Sequence, residues 1–229
     1  MNPVARVIQV AFLMIPKKDI DSVMKIPCTG VILAGGQNSR MEKKNKALLS
    51  LNGERIIDRM LRIFRDIFQE VIIVTNTPSQ YYDLDVKIIT DIYKKGCPLA
   101  GIHSGLFHAT NPWIFVAPCD LPFLKPEMIE TILDAIKENF SVVIPKTEMG
   151  YEPLCAAYSK QNLVKIVANL NAGNYKLLQF FKPKLTRIIT EKRLRLADPD
   201  LISFFNVNTP EDLSKANKKF MHGEEEIGS

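Results

Sequence analysis

The stretch GVILAGGQNSRM, residues 30–41, runs from an apolar segment straight into two adjacent glycines and then into polar residues. Gly35 and Gly36 have no Cβ and tolerate positive φ, so the backbone there can approach a ligand closely. Successive exposed N–H groups in such a loop form an anion-binding concavity, and Arg40 and Lys46 add positive charge to the same rim. These features favour a polyphosphate ligand, with an ordinary tight turn as the alternative. The stretch matches neither GxGxxG nor GxxxxGKS/T, so it indicates neither a dinucleotide site nor a Walker loop.

Short β-rich runs alternate with longer helical stretches beyond this loop. We predict strands over residues 30–34, 70–75, 86–90, 113–117, 141–145 and 185–189. We predict helices over residues 55–68, 125–139 and 208–220. The last helix has Thr209 as its cap, and Pro210 directly follows this cap in the first turn. This alternation is typical of a doubly wound α/β fold with a mostly parallel sheet flanked by helices. In such folds ligands lie beyond the carboxyl ends of the strands.

The composition limits the class of protein. The chain has 229 residues, 46% of them hydrophobic and 24% charged, which suits one domain with a substantial core. Its formal charge of +5 is spread along the chain, so we expect anionic small molecules, and neither nucleic acid nor a membrane, as partners. The four cysteines are far apart, with no CxxC pair. We therefore predict no disulfide framework, no zinc site and a cytoplasmic location.

Both ends of the chain differ in composition from its middle. VIQVAFLMIP, residues 7–16, is too short to span a membrane, and no small-residue cleavage site follows it. We interpret it as an extra edge strand or a variable extension. HGEEEIGS, residues 222–229, is polar and acidic, and we expect it to be disordered. We predict an N-terminal extension over 1–27, one domain over 28–220 and a polar tail over 221–229.

A carboxylate follows a strongly apolar predicted strand. WIFVAPCDLPF, residues 113–123, places Asp120 just past the strand end, between Pro118 and Pro122. Its side chain is expected to point into the crevice, where it would repel a polyphosphate unless it held Mg²⁺, which prefers carboxylate, water and phosphate oxygens. The alternative is a turn-forming aspartate. We interpret the neighbouring Cys119 as a small buried filler.

Two asparagines near the C-terminus form another polar feature. In FFNVNTPEDL, residues 204–213, Asn206 and Asn208 alternate with apolar Val207, which predicts both amides on one side of a short strand. That arrangement is unusual for packing alone. We therefore count both asparagines as candidate binding residues.

The sequence contains no convincing Ser/His/Asp or Cys/His arrangement for nucleophilic catalysis. His103 and His108 are five residues apart and do not share a helix face, so we interpret both as structural or exposed. Direct transfer between two bound substrates, without a side-chain nucleophile, fits this sequence.

Four segments, in order, carry a family resemblance from about Thr29 to about Leu213. LAGGQNSRM with Lys46, DIYKKGCPLAG, APCDLPF and FFNVNTPEDL resemble the motifs of the MobA-like nucleotidyltransferases, the guanylyltransferases of molybdenum cofactor biosynthesis. The resemblance implies a Rossmann-type fold like that of the nucleotide-diphospho-sugar transferases. It implies an enzyme that uses Mg²⁺ to join GTP and molybdopterin, releasing pyrophosphate and giving molybdopterin guanine dinucleotide. It also implies transient contact with molybdopterin-handling proteins or apo-molybdoenzymes.

The resemblance implies roles for individual residues as well. Nucleotide contacts are expected from Leu33, Ala34, Gly35, Gly36, Lys46, Asn76, Asp91, Pro98, Gly101 and Asp120. The catalytic set is Lys46, Asp120 and Arg40, and Asp120 is the expected Mg²⁺ ligand. Asn206 and Asn208 are expected near the second substrate. Val74 stands where the family has an asparagine, with Asn76 two positions on, and this departure bears on base specificity.

Two other classes of function stay open. One is an enzyme of the same fold with other substrates, either a molybdopterin cytidylyltransferase or a sugar-1-phosphate nucleotidyltransferase. The other is a non-catalytic nucleotide-binding or carrier protein, against which the presence of both Lys46 and Asp120 argues.

Overall fold

A mixed sheet forms the centre of the molecule in the computed structural model, which describes residues 27–35 and 45–225. Along the chain the strands are β1 (Cys28–Leu33), β2 (Ser50–Leu51), β3 (Glu54–Arg55), β4 (Val71–Val74), β5 (Lys87–Ile89), β6 (Trp113–Pro118), β7 (Val142–Thr147), β8 (Gly150–Tyr151), β9 (Ala156–Ser159) and β10 (Thr186–Thr190). β2 and β3 form a separate antiparallel pair. The main sheet has the order β10-β7-β9-β6-β1-β4-β5, with β8 paired to β7. All six predicted strands are present, within two residues at each end.

The sheet is mostly parallel, as predicted. β6, β1, β4 and β5 run parallel to one another, and β10 runs parallel to β7. β9 is antiparallel to both of its neighbours, β6 and β7. The sequence did not predict β9, because Ala156–Ser159 is short and its small residues give little alternation of apolar and polar positions.

Helices flank the sheet. They are α1 (Ile56–Ile67), α2 (Pro98–His108), α3 (Pro126–Leu133), α4 (Leu163–Asn171), α5 (Glu191–Leu194) and α6 (Pro210–Glu225). α1 buries the apolar stripe that its sequence predicts. The helix predicted over 125–139 is too long, because the chain leaves the helix after Leu133 and turns to bury Ile136 before β7 begins. The last predicted helix is longer than expected and continues to Glu225, so the disorder predicted for residues 222–229 is wrong for residues 222–225.

Helix α2 approaches β1 closely because two of its residues are glycines. A Cβ on Gly105 would lie 3.0 Å from Val31 Cγ1, and a Cβ on Gly101 would lie 3.0 Å from Leu33 Cδ2. The glycines therefore allow the start of the helix, at Pro98, to lie beside the carboxyl end of the strand.

Several predictions fall outside the described residues. They concern the extension before residue 27, Gly36, Arg40 and residues 226–229. The proposed domain limits also stay predictions. Within the described part of the chain, no helix combines the length and the apolarity needed to cross a membrane.

Candidate active site

The parallel strands end in register at one edge of the sheet. Leu33 at the end of β1 pairs with Val74 in β4 and with Pro118 in β6, and Val74 pairs with Ile89 in β5. The residues two positions beyond these ends are Gly35, Asn76, Asp91 and Asp120. Strand register therefore brings four predicted site residues to one edge.

A continuous crevice opens along this edge. Its inner pocket is lined by Asp91, Gly96, Cys97, Pro98 and Gly101. Its outer pocket is lined by Ala34, Asn45, Lys46, Gln80 and Asp120. The two pockets form one space because they share Leu33, Gly35, Asn76, Pro118 and Leu154.

A reciprocal hydrogen-bonded pair stands in the inner pocket. Asn76 Nδ2 donates to Asp91 Oδ2 at 2.8 Å, and the backbone N–H of Asp91 donates to Asn76 Oδ1 at 3.3 Å. Burial raises the pKa of Asp91, and the hydrogen bond from Asn76 opposes this rise. The next residue is also fixed, because the Ile92 N–H donates to Ser104 Oγ on α2 at 2.9 Å. Asn76 thus supplies the amide of this pocket, while Val74 is a buried strand residue.

A cation and a carboxylate meet in the outer pocket. Lys46 Nζ donates to Asn208 Oδ1 at 2.6 Å and lies 3.7 Å from Asp120 Oδ2. The Asp120 side chain is 16% exposed, and its Oδ1 is buried without a hydrogen-bond partner among the described residues. Burial raises the pKa of Asp120, and the charge of Lys46 opposes this rise. A buried polar atom without a partner is costly, so the arrangement suits a ligand that brings positive charge to Oδ1.

This carboxylate oxygen fits the predicted metal. Across residues 27–35 and 45–225, no three His, Cys, Asp or Glu side chains are grouped as metal ligands. Asp120 would therefore share the ion with oxygens of water and of a bound phosphate. That is the coordination Mg²⁺ usually has in phosphate sites, where it keeps several waters and takes only one or two carboxylates.

Lys46 is held in place by the residue before it. Asn45 caps the 3₁₀ turn that begins at Lys46, since its Oδ1 accepts from the Ala47 N–H at 3.1 Å. Its Nδ2 donates to Gln80 Oε1 at 2.5 Å and to Tyr81 Oη at 2.7 Å. Asn45 therefore connects the 3₁₀ turn that contains Lys46 to the segment after β4 by hydrogen bonds. Asparagine is a common N-cap and could have been noticed in the sequence, whereas no local signal marks Gln80 or Tyr81.

The structure places most predicted site residues around the crevice. Those that line it are Leu33, Ala34, Gly35, Lys46, Asn76, Asp91, Pro98, Gly101 and Asp120. Gly36 and Arg40 lie outside the described residues. The binding roles of all these residues stay predictions.

The asparagines near the C-terminus are arranged differently from the prediction. The strand predicted for them is wrong, because the backbone N–H of Val207 donates to the Asp120 carbonyl oxygen at 2.9 Å and the segment lies outside the sheet. Asn208 contacts Lys46, whereas Asn206 is exposed and its Nδ2 reaches the Phe204 carbonyl oxygen at 3.4 Å. Only Asn208 therefore joins the described cluster in the outer pocket.

His103 and Cys119, which the sequence does not favour as catalytic residues, are not activated for catalysis in the structure. His103 is 4% exposed, and its ring packs edge-on against Tyr93 with centroids 4.9 Å apart. Cys119 lines the outer pocket, but burial and the nearby Asp120 raise the pKa of its thiol to about 12. The thiolate is the nucleophilic form, so Cys119 is not an activated nucleophile at neutral pH.

The fold and the crevice together define a class of protein. A doubly wound sheet with a polar crevice across its strand ends, and with a lysine and a carboxylate at the outer pocket, is the architecture of a nucleotide-binding α/β enzyme. Residues 30–188 match the MobA-like NTP transferase domain, and the chain belongs to that family. It is a nucleotidyltransferase.

Individual relatives agree with this assignment. The molybdenum cofactor guanylyltransferase of Desulfosudis oleivorans is 40% identical over 195 residues, which cover 85% of this chain and 96% of that protein. The solved structure of molybdopterin-guanine dinucleotide biosynthesis protein A from Archaeoglobus fulgidus has a TM-score of 0.75 and 29% identity, covering 85% of this chain and 99% of that chain. A Mycobacterium tuberculosis protein solved in complex with manganese shares the fold, with a TM-score of 0.60 and 16% identity over 84% of this chain and 98% of that chain.

Proposed function

We infer that this chain transfers GMP from GTP to molybdopterin, giving molybdopterin guanine dinucleotide and pyrophosphate. One observation carries the inference: Lys46, held by Asn208, and Asp120 line the outer pocket, which is continuous with the inner pocket that holds Asn76 and Asp91. Such a crevice suits a triphosphate held by its phosphates and its base at once. The names of the similar proteins from D. oleivorans and A. fulgidus suggest the two substrates.

The inner pocket suits the base of the nucleotide. Asp91 Oδ2 accepts from Asn76, and Asp91 Oδ1 faces Gly101, where an added Cβ would lie 3.7 Å from it. Guanine presents two adjacent donors, N1–H and the 2-amino group, and a carboxylate can accept from both. Cytosine and adenine lack this pair of donors, and leaving a buried polar group unpaired costs about 1–3 kcal/mol. Asp91 therefore favours GTP over CTP and ATP.

The outer pocket suits the phosphates. The chain at Leu33, Ala34 and Gly35 borders it, and Lys46 supplies positive charge. A terminal phosphate oxygen of molybdopterin attacks the α-phosphorus of GTP in line, the bond from that phosphorus to the bridging oxygen breaks, and pyrophosphate leaves. Lys46 offsets the negative charge that develops on the α-phosphate and on the leaving group. The side chains bind, orient and offset charge, so no covalent enzyme intermediate is needed.

Asp120 is the residue that would hold the metal ion, which we take to be Mg²⁺, through its Oδ1, which has no hydrogen-bond partner among the described residues. When bound, the ion supplies further stabilisation of charge on the phosphate oxygens. Asn208 orients Lys46 toward the same phosphates, and Asn206 lies farther along the same segment, toward the second substrate. Gly36 and Arg40 complete the proposed phosphate-binding set.

The setting of the reaction is part of the same proposal. The chain would work in the cytoplasm, which agrees with four free cysteines. It would meet molybdopterin-handling proteins or apo-molybdoenzymes transiently, as the source of one substrate and the destination of the product. Nucleic acid is not an expected partner.

The proposed reaction is tested by incubating the protein with molybdopterin, Mg²⁺ and each of the four nucleoside triphosphates in turn. We expect pyrophosphate release with GTP, and kcat/KM at least about tenfold lower with the others, the loss for one unpaired polar group. Faster turnover with CTP would make the protein a cytidylyltransferase. Turnover with a sugar 1-phosphate as the sole acceptor would exclude the cofactor reaction.

A further inference from the structure

A second groove is lined by residues of the β7–β8 turn, of α5 and of the segment that follows α5. One wall is the turn from β7 to β8 with the residues after it, and the floor is apolar. The floor residues are Leu201, Ile202, Phe204 and Phe205. Charged side chains surround these apolar residues: the acids Glu148, Glu152, Glu191 and Asp200, and the bases Arg195 and Lys219.

Glu152 differs from the other acids of this groove. It is half-buried, and its carboxylate has no hydrogen bond or ion pair with the described residues. Burial alone raises its pKa. By contrast, Glu191 accepts from the Glu148 N–H at 2.6 Å and pairs with Arg195 at 2.7 Å, while the Glu148 side chain is exposed. A carboxylate that is partly desolvated and unpaired beside an apolar floor suits a flat ligand that donates hydrogen bonds.

Two segments of chain connect the lining of the groove to the catalytic cluster. Glu152 lines the groove, and Leu154, two residues later, lines the crevice. Phe205 lines the groove, and Asn208, three residues later, contacts Lys46. Three residues span at most about 11 Å. The lining of the groove at Phe205 therefore lies within that distance, along the chain, of the residue that contacts Lys46.

The apolar floor is held in place by the buried carboxylate of Asp198, which pairs with the partly exposed Lys125. Asp198 is 0% exposed, pairs with Lys125 at 2.9 Å and accepts from the Ser203 N–H at 2.8 Å. Its carbonyl oxygen accepts from the Leu201 N–H at 3.0 Å. These bonds hold Leu201 at a φ of +53°, a left-handed conformation that is costly for a bulky residue. The interactions of Asp198 therefore fix the conformation of the apolar floor before any ligand binds.

We propose that this groove binds the pterin ring of the second substrate, with the Glu152 carboxylate accepting hydrogen bonds from the N3–H and 2-amino groups of the ring. The assignment rests on the proposed function, and it names a specificity-determining residue for the molybdopterin side of the reaction. A pterin is a flat heteroaromatic ring that matches the apolar floor at Phe204 and Phe205. Its N3–H and 2-amino group form two parallel donors, which a carboxylate accepts in a bidentate manner.

The test uses two ring systems that differ at the 2-position. The fluorescent probe 6-hydroxymethylpterin has the 2-amino donor, whereas lumazine has a carbonyl oxygen there, which a carboxylate repels. We expect the full-length wild-type chain, in the presence of GTP and Ca²⁺ to prevent turnover, to bind the pterin at least about tenfold more tightly than lumazine. Glu152→Gln should weaken pterin binding by about tenfold to a hundredfold and abolish this preference. The KM for GTP should stay within about twofold of the wild-type value in Glu152→Gln, since Asp91 serves the base.

Glu148→Gln is the matched control, because it removes the same charge from an exposed position at the same groove. It should bind both probes as the wild type does. Glu152→Asp keeps the carboxylate but withdraws it by one methylene, and it should weaken pterin binding less than Glu152→Gln does. Equal pterin binding by the wild type and Glu152→Gln would overturn the assignment, as would absence of pterin binding in the wild type. An effect of Glu152→Gln on the KM for GTP alone would overturn it too, placing guanine in the groove.

The two proposals fail in different ways. Pterin binding is measured without turnover, whereas the proposed function is measured as pyrophosphate released by the wild type with molybdopterin and GTP. A wild type that turns over but whose Glu152→Gln variant has an unchanged KM for molybdopterin would contradict the groove assignment alone. A wild type that does not turn over would contradict the proposed function, and with it the identity of the second substrate.

Discussion

Lys46 Nζ lies 2.6 Å from Asn208 Oδ1, which joins two residues that are 162 positions apart. Asn208 is itself fixed, because its N–H and that of Thr209 donate to Asp212 Oδ2 at 3.1 and 3.0 Å. Thr209 Oγ1 in turn accepts from the Asp212 N–H at 3.1 Å, which caps α6 as predicted. The cap of the last helix therefore positions the lysine of the outer pocket.

This relationship predicts that Lys46 and Asn208 act as a unit. Lys46→Ala should lower kcat/KM for GTP by about a hundredfold or more, because it removes the charge that offsets the phosphates. Asn208→Ala should cost about tenfold in the wild type and little more in the Lys46→Ala background. A double-mutant cycle on kcat/KM measures the coupling, with melting temperatures to monitor stability.

The exposed residues Lys137 and Asn174 provide the controls for this cycle. Lys137→Ala and Asn174→Ala should leave kcat/KM unchanged. Strictly additive losses from Lys46→Ala and Asn208→Ala would mean that Asn208 acts on a substrate independently of the lysine.

Asp120→Asn should remove the metal-dependent rate without unfolding the protein. We expect kcat to fall by about a hundredfold or more, the effect of losing one electrostatic stabiliser of the transition state. The melting temperature should stay equal or rise, because burial disfavours the charged carboxylate in the folded protein. Asp85→Asn, at an exposed position, should change neither quantity. Turnover of Asp120→Asn near the wild-type rate at saturating Mg²⁺ would refute the metal assignment.

The Asn76–Asp91 pair should govern the choice of base. Asn76→Ala removes the partner that orients Asp91 Oδ2, so we expect the KM for GTP to rise by about tenfold with a smaller change in kcat. Asp91→Asn should reduce the preference for GTP over CTP by about tenfold or more, because an amide presents one acceptor where the carboxylate presents two. Measuring kcat/KM for GTP and CTP in each variant tests this prediction. An unchanged ratio of the two values would mean that the base does not bind at the Asn76–Asp91 pair.

The strand-end residues of this site could be predicted from the sequence, and the contacts between distant segments could not. Asp120 follows an apolar strand, and parallel strands in such folds end at the ligand, so local pattern and general topology suffice for this residue, whereas Asp91 is expected only from the family resemblance. The contacts of Lys46 with Asn208, and of Asn45 with Gln80, depend on how segments far apart in the chain are brought together. No periodicity or turn signal encodes those distances.

Two errors in the predicted fold have the same cause, because they too depend on contacts between segments that are far apart in the chain. Ala156–Ser159 became an antiparallel strand because it fills the space between β6 and β7, which is a property of the whole sheet. The segment at Val207 looked like a strand because apolar and polar residues alternate there, yet its backbone N–H bonds to the loop at Asp120. In both cases tertiary context outweighed the local pattern.

Gly101 and Gly105 offer a matched pair of substitutions on α2. In either Gly→Ala variant the new Cβ would lie 3.0 Å from a β1 side chain, but only the Cβ at Gly101 would also lie near Asp91 in the inner pocket. Alanine favours the helix by about 1 kcal/mol relative to glycine, and crowding opposes this gain. The crowding is greater at Gly105, where Val31 Cγ2 and Ile114 Cδ1 would also lie within 3.4 Å, so Gly105→Ala should be the less stable variant. Gly101→Ala alone should raise the KM for GTP, by about tenfold. Equal KM values in the two variants would show that α2 does not border the nucleotide.

At the opposite edge of the sheet, where the parallel strands begin, the carboxylate of Glu70 is expected to contribute to stability and not to activity. Glu70 Oε2 accepts from Thr29 Oγ1 at 2.6 Å and from the N–H and Oγ1 of Thr110, both at 2.8 Å, and Lys87 Nζ lies 3.2 Å from Oε1. Burial favours the neutral acid, but these hydrogen bonds outweigh it and lower the pKa of Glu70 to about 2. The group therefore links the start of β1 to the loop before β6.

The sign of the resulting pH dependence follows from the lowered pKa. The unfolded chain binds a proton at Glu70 near its ordinary pKa of about 4.3, whereas the folded protein resists protonation until about pH 2. The stability contributed by the carboxylate is thus fully present above about pH 5 and is lost as the pH falls toward 2. Glu70→Gln should lower the free energy of unfolding by about 1–2 kcal/mol at pH 7, a modest value because solvent partly screens the site. Urea titrations of the wild type and Glu70→Gln at pH 7, 5 and 3, beside the exposed control Glu138→Gln, should show this difference narrowing at pH 3, with kcat/KM for GTP unchanged at pH 7. A difference that stays constant across the three pH values would mean that the shape of the side chain, and not its charge, stabilises this edge.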